Sequence, residues 1–70
     1  MSSKITDIIK GAAEREGLTA VELGKTIGMP LSTLKYRFSN PGTWRLYEIG
    51  SLLRHVNFFD EELKEIRGNL

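Results

Sequence analysis

Gly28 and Pro30 stand two residues apart near the middle of a 70-residue chain, and together they forbid one continuous helix through that point. A glycine adopts the left-handed conformation that ends a helix without steric penalty, and a proline lacks the N–H that a helix interior needs. The segment before them is bounded as well. Thr19 and Glu22 have the spacing of a capping box, and Leu18 and Leu23 that of a hydrophobic staple, so a second helix of about two turns is expected between Thr19 and Gly28. Beyond the break, Pro30 has a φ suited to a first helical turn, and Leu31, Leu34 and Phe38 recur at i, i+3 and i+7 as the buried stripe of a third helix. Two short helices with a sharp turn between them are required.

The flanks read as helices too. Ser3 to Glu16 places Ile5, Ile8, Ile9, Ala12 and Ala13 at helical spacing, with Asp7 near the start where the helix dipole favours an acid, and Gly17 is the expected stop. Asn40-Pro41-Gly42 is a break, after which Thr43 is expected to cap a fourth helix with Trp44, Leu46, Ile49, Leu53 and Val56 turned inward and Asn57 closing it. Asp60 is the expected cap of a last short helix that begins with Glu61 and Glu62 and buries Leu63 and Ile66. Strand-like alternation appears nowhere. The fold class expected is all-α, a compact bundle of about five short helices, with residues 1–70 as one domain.

A short helix, a glycine-centred turn and a second short helix with one apolar stripe and one small-polar face make the helix-turn-helix pattern. Its core is expected at residues 19–39. Gly24 supports it, because a mid-helix glycine costs up to about 1 kcal/mol relative to alanine unless another backbone must pass close by. Leu34 is expected to point back into the angle between the two helices.

The stretch Leu18 to Val56 resembles the small phage-repressor and Cro-like helix-turn-helix regulators, the lambda-repressor-like family of DNA-binding domains. Leu18-Thr19, Glu22-Leu23, Gly24, Ile27-Gly28, Ser32-Thr33-Leu34 and the run from Tyr36 to Trp44 carry the likeness. The resemblance implies a third helix, at about residues 30–39, lying in the major groove of operator DNA. By that likeness Pro30, Leu31, Ser32, Lys35 and Tyr36 fall on base-facing positions, and Thr19, Ala20, Asn40 and Thr43 on phosphate-facing ones. Two residues depart from the pattern. Many members carry glutamine where Ala20 stands, and many keep an apolar residue at Arg37, whose core role here passes to Phe38.

The side chains themselves fit this in part. Ser32 and Lys35 are one turn apart; lysine donates to guanine O6 or N7, and serine donates or accepts. Tyr36 is read either as a contact to a phosphate or a thymine methyl, or as a half-buried core aromatic. Arg37 is expected to face a phosphate from beside the buried Phe38. The DNA-binding set expected is Thr19, Ser32, Thr33, Lys35, Tyr36, Arg37, Ser39, Asn40, Thr43 and Arg45. Trp44 is expected in the core beside Phe38, and His55 at the surface or its boundary. Phe58 and Phe59 are expected either to pair two copies, within a dimerisation segment at 57–70, or to pack into their own core.

Charge locates the same region. Net charge is only +1, but residues 25–54 hold Lys25, Lys35, Arg37, Arg45 and Arg54 against Glu48 alone, while the blocks on either side are acidic. Any polyanion is expected at the middle block. With no cysteine, a single histidine and no phosphate-cradling glycine loop, nothing supports catalysis, a metal or a cofactor. No apolar run approaches the roughly 20 residues a bilayer needs, and no secretory signal is evident, so a cytoplasmic location is expected. The partners expected are double-stranded operator DNA and a second copy of the chain. The alternative is a modulator or antirepressor that uses the same fold to bind a repressor protein.

Overall fold

A computed structural model describes residues 4–68 as five α-helices and one short 3₁₀ turn, with no strand among the described residues. The helices are α1 (Lys4–Arg15), α2 (Ala20–Ile27), α3 (Leu31–Ser39), α4 (Leu46–His55) and α5 (Asp60–Gly68), and the 3₁₀ turn is Pro41–Thr43. The expected start at Ser3 lies outside the described residues. The all-α reading holds.

Local chemistry explains the first two connections. Gly17 is left-handed with φ 72°, and the Leu18 N–H reaches back to the Ala13 carbonyl at 2.9 Å, which ends α1. Thr19 caps α2: its hydroxyl accepts from the Glu22 N–H at 3.2 Å, and the Glu22 carboxylate accepts from the Thr19 N–H at 3.0 Å. Those bonds to Thr19 hold the Glu22 carboxyl below its ordinary pKa. Gly28 closes α2 in the left-handed region, and the Met29 N–H bonds the Gly24 carbonyl at 2.7 Å.

Four expected boundaries shift. Pro30 is not in the first helical turn; it is extended, with ψ 150°, and caps α3 through its carbonyl, which accepts from the Leu34 N–H. Thr43 does not cap the fourth helix, because it belongs to the 3₁₀ turn, where its hydroxyl and N–H both bond the Asn40 carbonyl. The helix starts two residues later than expected, at Leu46, with Arg45 at the cap position and the Glu48 carboxylate accepting from the Arg45 N–H at 2.8 Å. That moves the inward face: Ile49, Leu52 and Val56 are buried, whereas Leu46, expected in the core, is 82% exposed. Val56 rather than Asn57 closes α4. Phe59 rather than Asp60 caps α5, since its N–H bonds Glu62 at 2.8 Å and its carbonyl accepts from Leu63.

The core joins Ile5, Ile9, Ala12 and Ala13 of α1 to Leu23, Leu34, Ile49, Leu52, Val56 and Ile66. Met29, in the turn, and Thr6, on α1, are buried as well. Thr6 is stable there because its hydroxyl donates to the Phe38 carbonyl at 2.8 Å, which satisfies the polar atom and ties α1 to the end of α3. Trp44 is buried, as expected, with its ring tilted 53° against Phe38. α2 packs on both α3 and α4, and α5 packs on α1. The last contact is reinforced by Arg15, whose guanidinium takes both Glu62 oxygens at 2.6 and 3.0 Å and lies 4.1 Å from the Phe59 ring centre.

Candidate nucleic-acid interface

The third helix divides its residues cleanly. Leu34 is fully buried, Leu31, Arg37 and Phe38 are half-buried, and Ser32, Lys35, Tyr36 and Ser39 are exposed. Those four fall at i, i+3, i+4 and i+7, so they form one outward stripe. Tyr36 is 53% exposed, so it is not a half-buried core aromatic. At 1.5 Å per residue the stripe runs about 10 Å. It carries two hydroxyls, one phenol and one ammonium, and no acid.

Two hollows border α3. Pro30, Thr33 and Arg37, from its cap to its last turn, line one of about 280 Å³ together with Arg45, Tyr47 and Glu48 from the start of α4. Phe38 lines the other, of about 310 Å³, with Lys10, Leu18, Thr19 and Ala20. Thr19 and Arg45, distant in sequence, therefore both border α3, in different hollows, and both are exposed. Lys10 joins Thr19 there, with its ammonium 5.3 Å from the Phe38 ring centre. Nothing in the charge pattern marked Lys10, because it belongs to an acidic block of the sequence.

The remaining expected residues separate by what they already bind. Asn40 is exposed, but its side-chain amide donates to the Tyr36 carbonyl at 3.1 Å, so it acts first in ending α3. Thr43 is half-buried and spends its hydroxyl on Asn40. Arg37 corrects the sequence reading most. Expected to face outward, it turns in: Nε donates to Glu48 Oε1 at 3.0 Å and Nη2 to Glu48 Oε2 at 3.3 Å, with the two side chains only 12% and 6% exposed. Burial pushes the Glu48 carboxyl up, but the bonds from Arg37 and from the Arg45 N–H outweigh it and hold the group below its ordinary pKa.

That pairing removes one charge of each sign from the middle block. Lys25, Lys35, Arg45 and Arg54 remain, all exposed, and none forms a salt bridge among the described residues. Leu46, expected in the core, and Tyr47, for which the sequence predicts no role, stand 82% and 68% exposed beside Arg45. Their signal was present, in the Arg45-to-Glu48 spacing that places the helix start.

No family model, curated protein or solved structure matches the chain. The surface is therefore read from its own residues. Phe58 and Phe59 part company there: Phe58 is half-buried against the core, and Phe59 is 62% exposed with Arg15 stacked on it. No helix among the described residues is long and apolar enough to cross a membrane.

Proposed function

We propose that this chain is a sequence-specific double-stranded DNA-binding transcriptional regulator, with α3 as the helix that enters the major groove. The observation that carries this reading is the outward stripe of Ser32, Lys35, Tyr36 and Ser39, acid-free and set on a helix narrow enough for a groove about 12 Å wide. A stripe of about 10 Å faces about three base pairs at 3.4 Å each. Thr19 and Lys10 in one hollow beside α3 and Arg45 in the other supply donors for the phosphate backbones that flank the groove. The likeness of Leu18 to Val56 to the phage-repressor and Cro-like regulators points the same way, and the α2–turn–α3 arrangement is read as a helix-turn-helix on that basis.

Two copies are needed for a two-fold operator. The Cα positions span 26 Å along the longest axis, a size that fits one copy to one half-site when half-sites lie roughly 34 Å apart. Of Phe58 and Phe59, the pair expected to join two copies, Phe59 is the exposed one.

A second reading is favoured by Leu46 and Tyr47, two large apolar groups standing side by side in solvent. On that reading the chain is a modulator that grips another regulator protein. Selection of bound duplexes from a random pool decides between them. The DNA reading expects an enriched two-fold motif bound roughly 10³-fold or more above scrambled duplex, with affinity falling steeply as salt rises. Absence of enrichment sinks it and leaves the modulator.

A further inference from the structure

The start of α4 is held to α3 by one buried side-chain pair. Arg37 comes from α3, Glu48 from the first turn of α4, and the guanidinium meets the carboxylate through two parallel N–H donors. The same Glu48 Oε1 that accepts from Arg37 Nε also accepts from the Arg45 N–H. A single carboxylate thus closes the α4 terminus and fixes it to α3. A forked, two-bond contact fixes orientation as well as distance, which a single ammonium contact cannot do.

The placement of this joint matters because of what stands on either side of it. Arg37 lies on α3 one residue from Tyr36 and two from Lys35 of the outward stripe. Glu48 lies one residue from Tyr47 and three from Arg45. Between the two helices the connection runs through the Pro41–Thr43 turn and Trp44, so backbone continuity alone leaves the angle to side chains. Both paired side chains line the hollow between α3 and the start of α4.

We propose that the Arg37–Glu48 pair sets the position of the Arg45–Tyr47 edge relative to the Ser32–Ser39 stripe, making Arg37 and Glu48 positioning residues of a composite binding surface rather than contacts to its ligand. The inference rests on the DNA reading for what the surface binds, but not for what the pair does. A buried guanidinium already paired with a carboxylate is a poor phosphate contact, since reaching a phosphate would strip Glu48 of its partner in a nearly solvent-free site. Loss of either member frees the α4 start, and loss of both adds little, because the first loss already breaks the joint.

The test uses R37M, E48Q and the double variant, with R37K as a milder change that keeps the charge and loses the fork, each confirmed folded by circular dichroism. The enriched duplex is titrated at several salt concentrations. The expected result is a loss of roughly tenfold for each single variant, a double variant no worse than the singles, and a salt slope equal to that of the unaltered protein. If R37M lowers the slope by about one phosphate while E48Q leaves affinity unchanged or raises it, Arg37 touches the phosphate backbone and the proposal fails.

A second readout needs no DNA. The chain has no cysteine, so spin labels at S39C on α3 and H55C on α4 report the distance between these helices without background. R37K or E48Q is expected to broaden or displace that distance distribution. Identical distributions in all variants overturn the joint. Failure of the unaltered protein to select any duplex overturns the DNA reading alone, and the label distances still decide the role of the pair.

Discussion

The carbonyl oxygen of Met29 lies 2.5 Å from the place where a β-carbon on Gly24 would stand. Glycine is required in the middle of α2 because the backbone of the turn crosses it there. G24A is therefore expected to destabilise the fold by about 1–3 kcal/mol despite alanine's better helix propensity, since a backbone oxygen must move. G11A is the control. Gly11 sits in the middle of α1, and a β-carbon added there would meet nothing within 4 Å, so alanine is expected to stabilise by up to about 1 kcal/mol. Urea unfolding of both variants checks the pair, and equal signs would refute the close approach.

Leu46 and Leu52 belong to the same helix and the same residue type, yet one is 82% exposed and the other 1%. L52A is expected to cost about 2–5 kcal/mol, as a buried leucine leaves a cavity. L46S is expected to stay within about 0.5 kcal/mol of the unaltered protein. A large loss from L46S would return the start of α4 to Trp44.

Three glutamates share one pH dependence. Glu22, Glu48 and Glu62 are each held below the ordinary value of 4.5 in the folded chain by hydrogen bonds, Glu62 chiefly by that from Arg15. Between the unfolded and folded values the unfolded state binds more protons, so stability is full above about pH 4.5 and falls as pH drops through the lowered folded values. E48Q is expected to shrink that acid-side fall, because glutamine takes up no proton. Thermal unfolding of both proteins from pH 7 to pH 3 measures it, and parallel curves would exclude Glu48 as a contributor.

Exposed cations and the stripe have separable effects on DNA. R45A is expected to weaken binding to specific and scrambled duplex alike and to lower the salt slope by about one, as loss of a phosphate contact does. S32A or K35A is expected to cost about 1–3 kcal/mol for the enriched duplex and to relax the preference at one or two base positions, with less change on scrambled DNA. Repeating the selection with each variant distinguishes the two patterns.

Arg15 tethers α5 to the body of the molecule. Its pKa is raised, first by the hydrogen bond to Glu62, and the pair is reached by solvent. R15Q is expected to speed amide exchange in α5 while α2 and α3 stay protected, and salt is expected to act in the same direction on the unaltered protein. Uniform acceleration across the chain would mean that α5 unfolds only with the rest.

Much of this was written in local sequence. Thr19, Glu22, Gly28 and the Leu31–Leu34–Phe38 spacing determined α2, the turn and α3, because caps, left-handed glycines and helical periodicity act within a few residues and need no partner from elsewhere. The same locality exposed the Ser32–Ser39 stripe once the buried stripe was known. The start of α4 differs from expectation for a local reason: Thr43 is the better capping residue by type, but it is wound into the Pro41–Thr43 turn, and Glu48 satisfies the Arg45 N–H at the cap from inside the helix.

Only the tertiary structure decided Arg37, Thr6, Lys10 and Leu46. A cation in a basic block reads as solvated until a carboxylate eleven residues away arrives beside it, and Thr6 reads as polar surface until the Phe38 carbonyl covers it. Lys10 reaches the surface beside Thr19 because α1 and α2 pack together, which no spacing along the chain records. Short-range sterics and hydrogen bonds choose the helices; which polar groups are buried depends on the partner that folding brings to them, since a charge leaves water only where another group replaces its hydration.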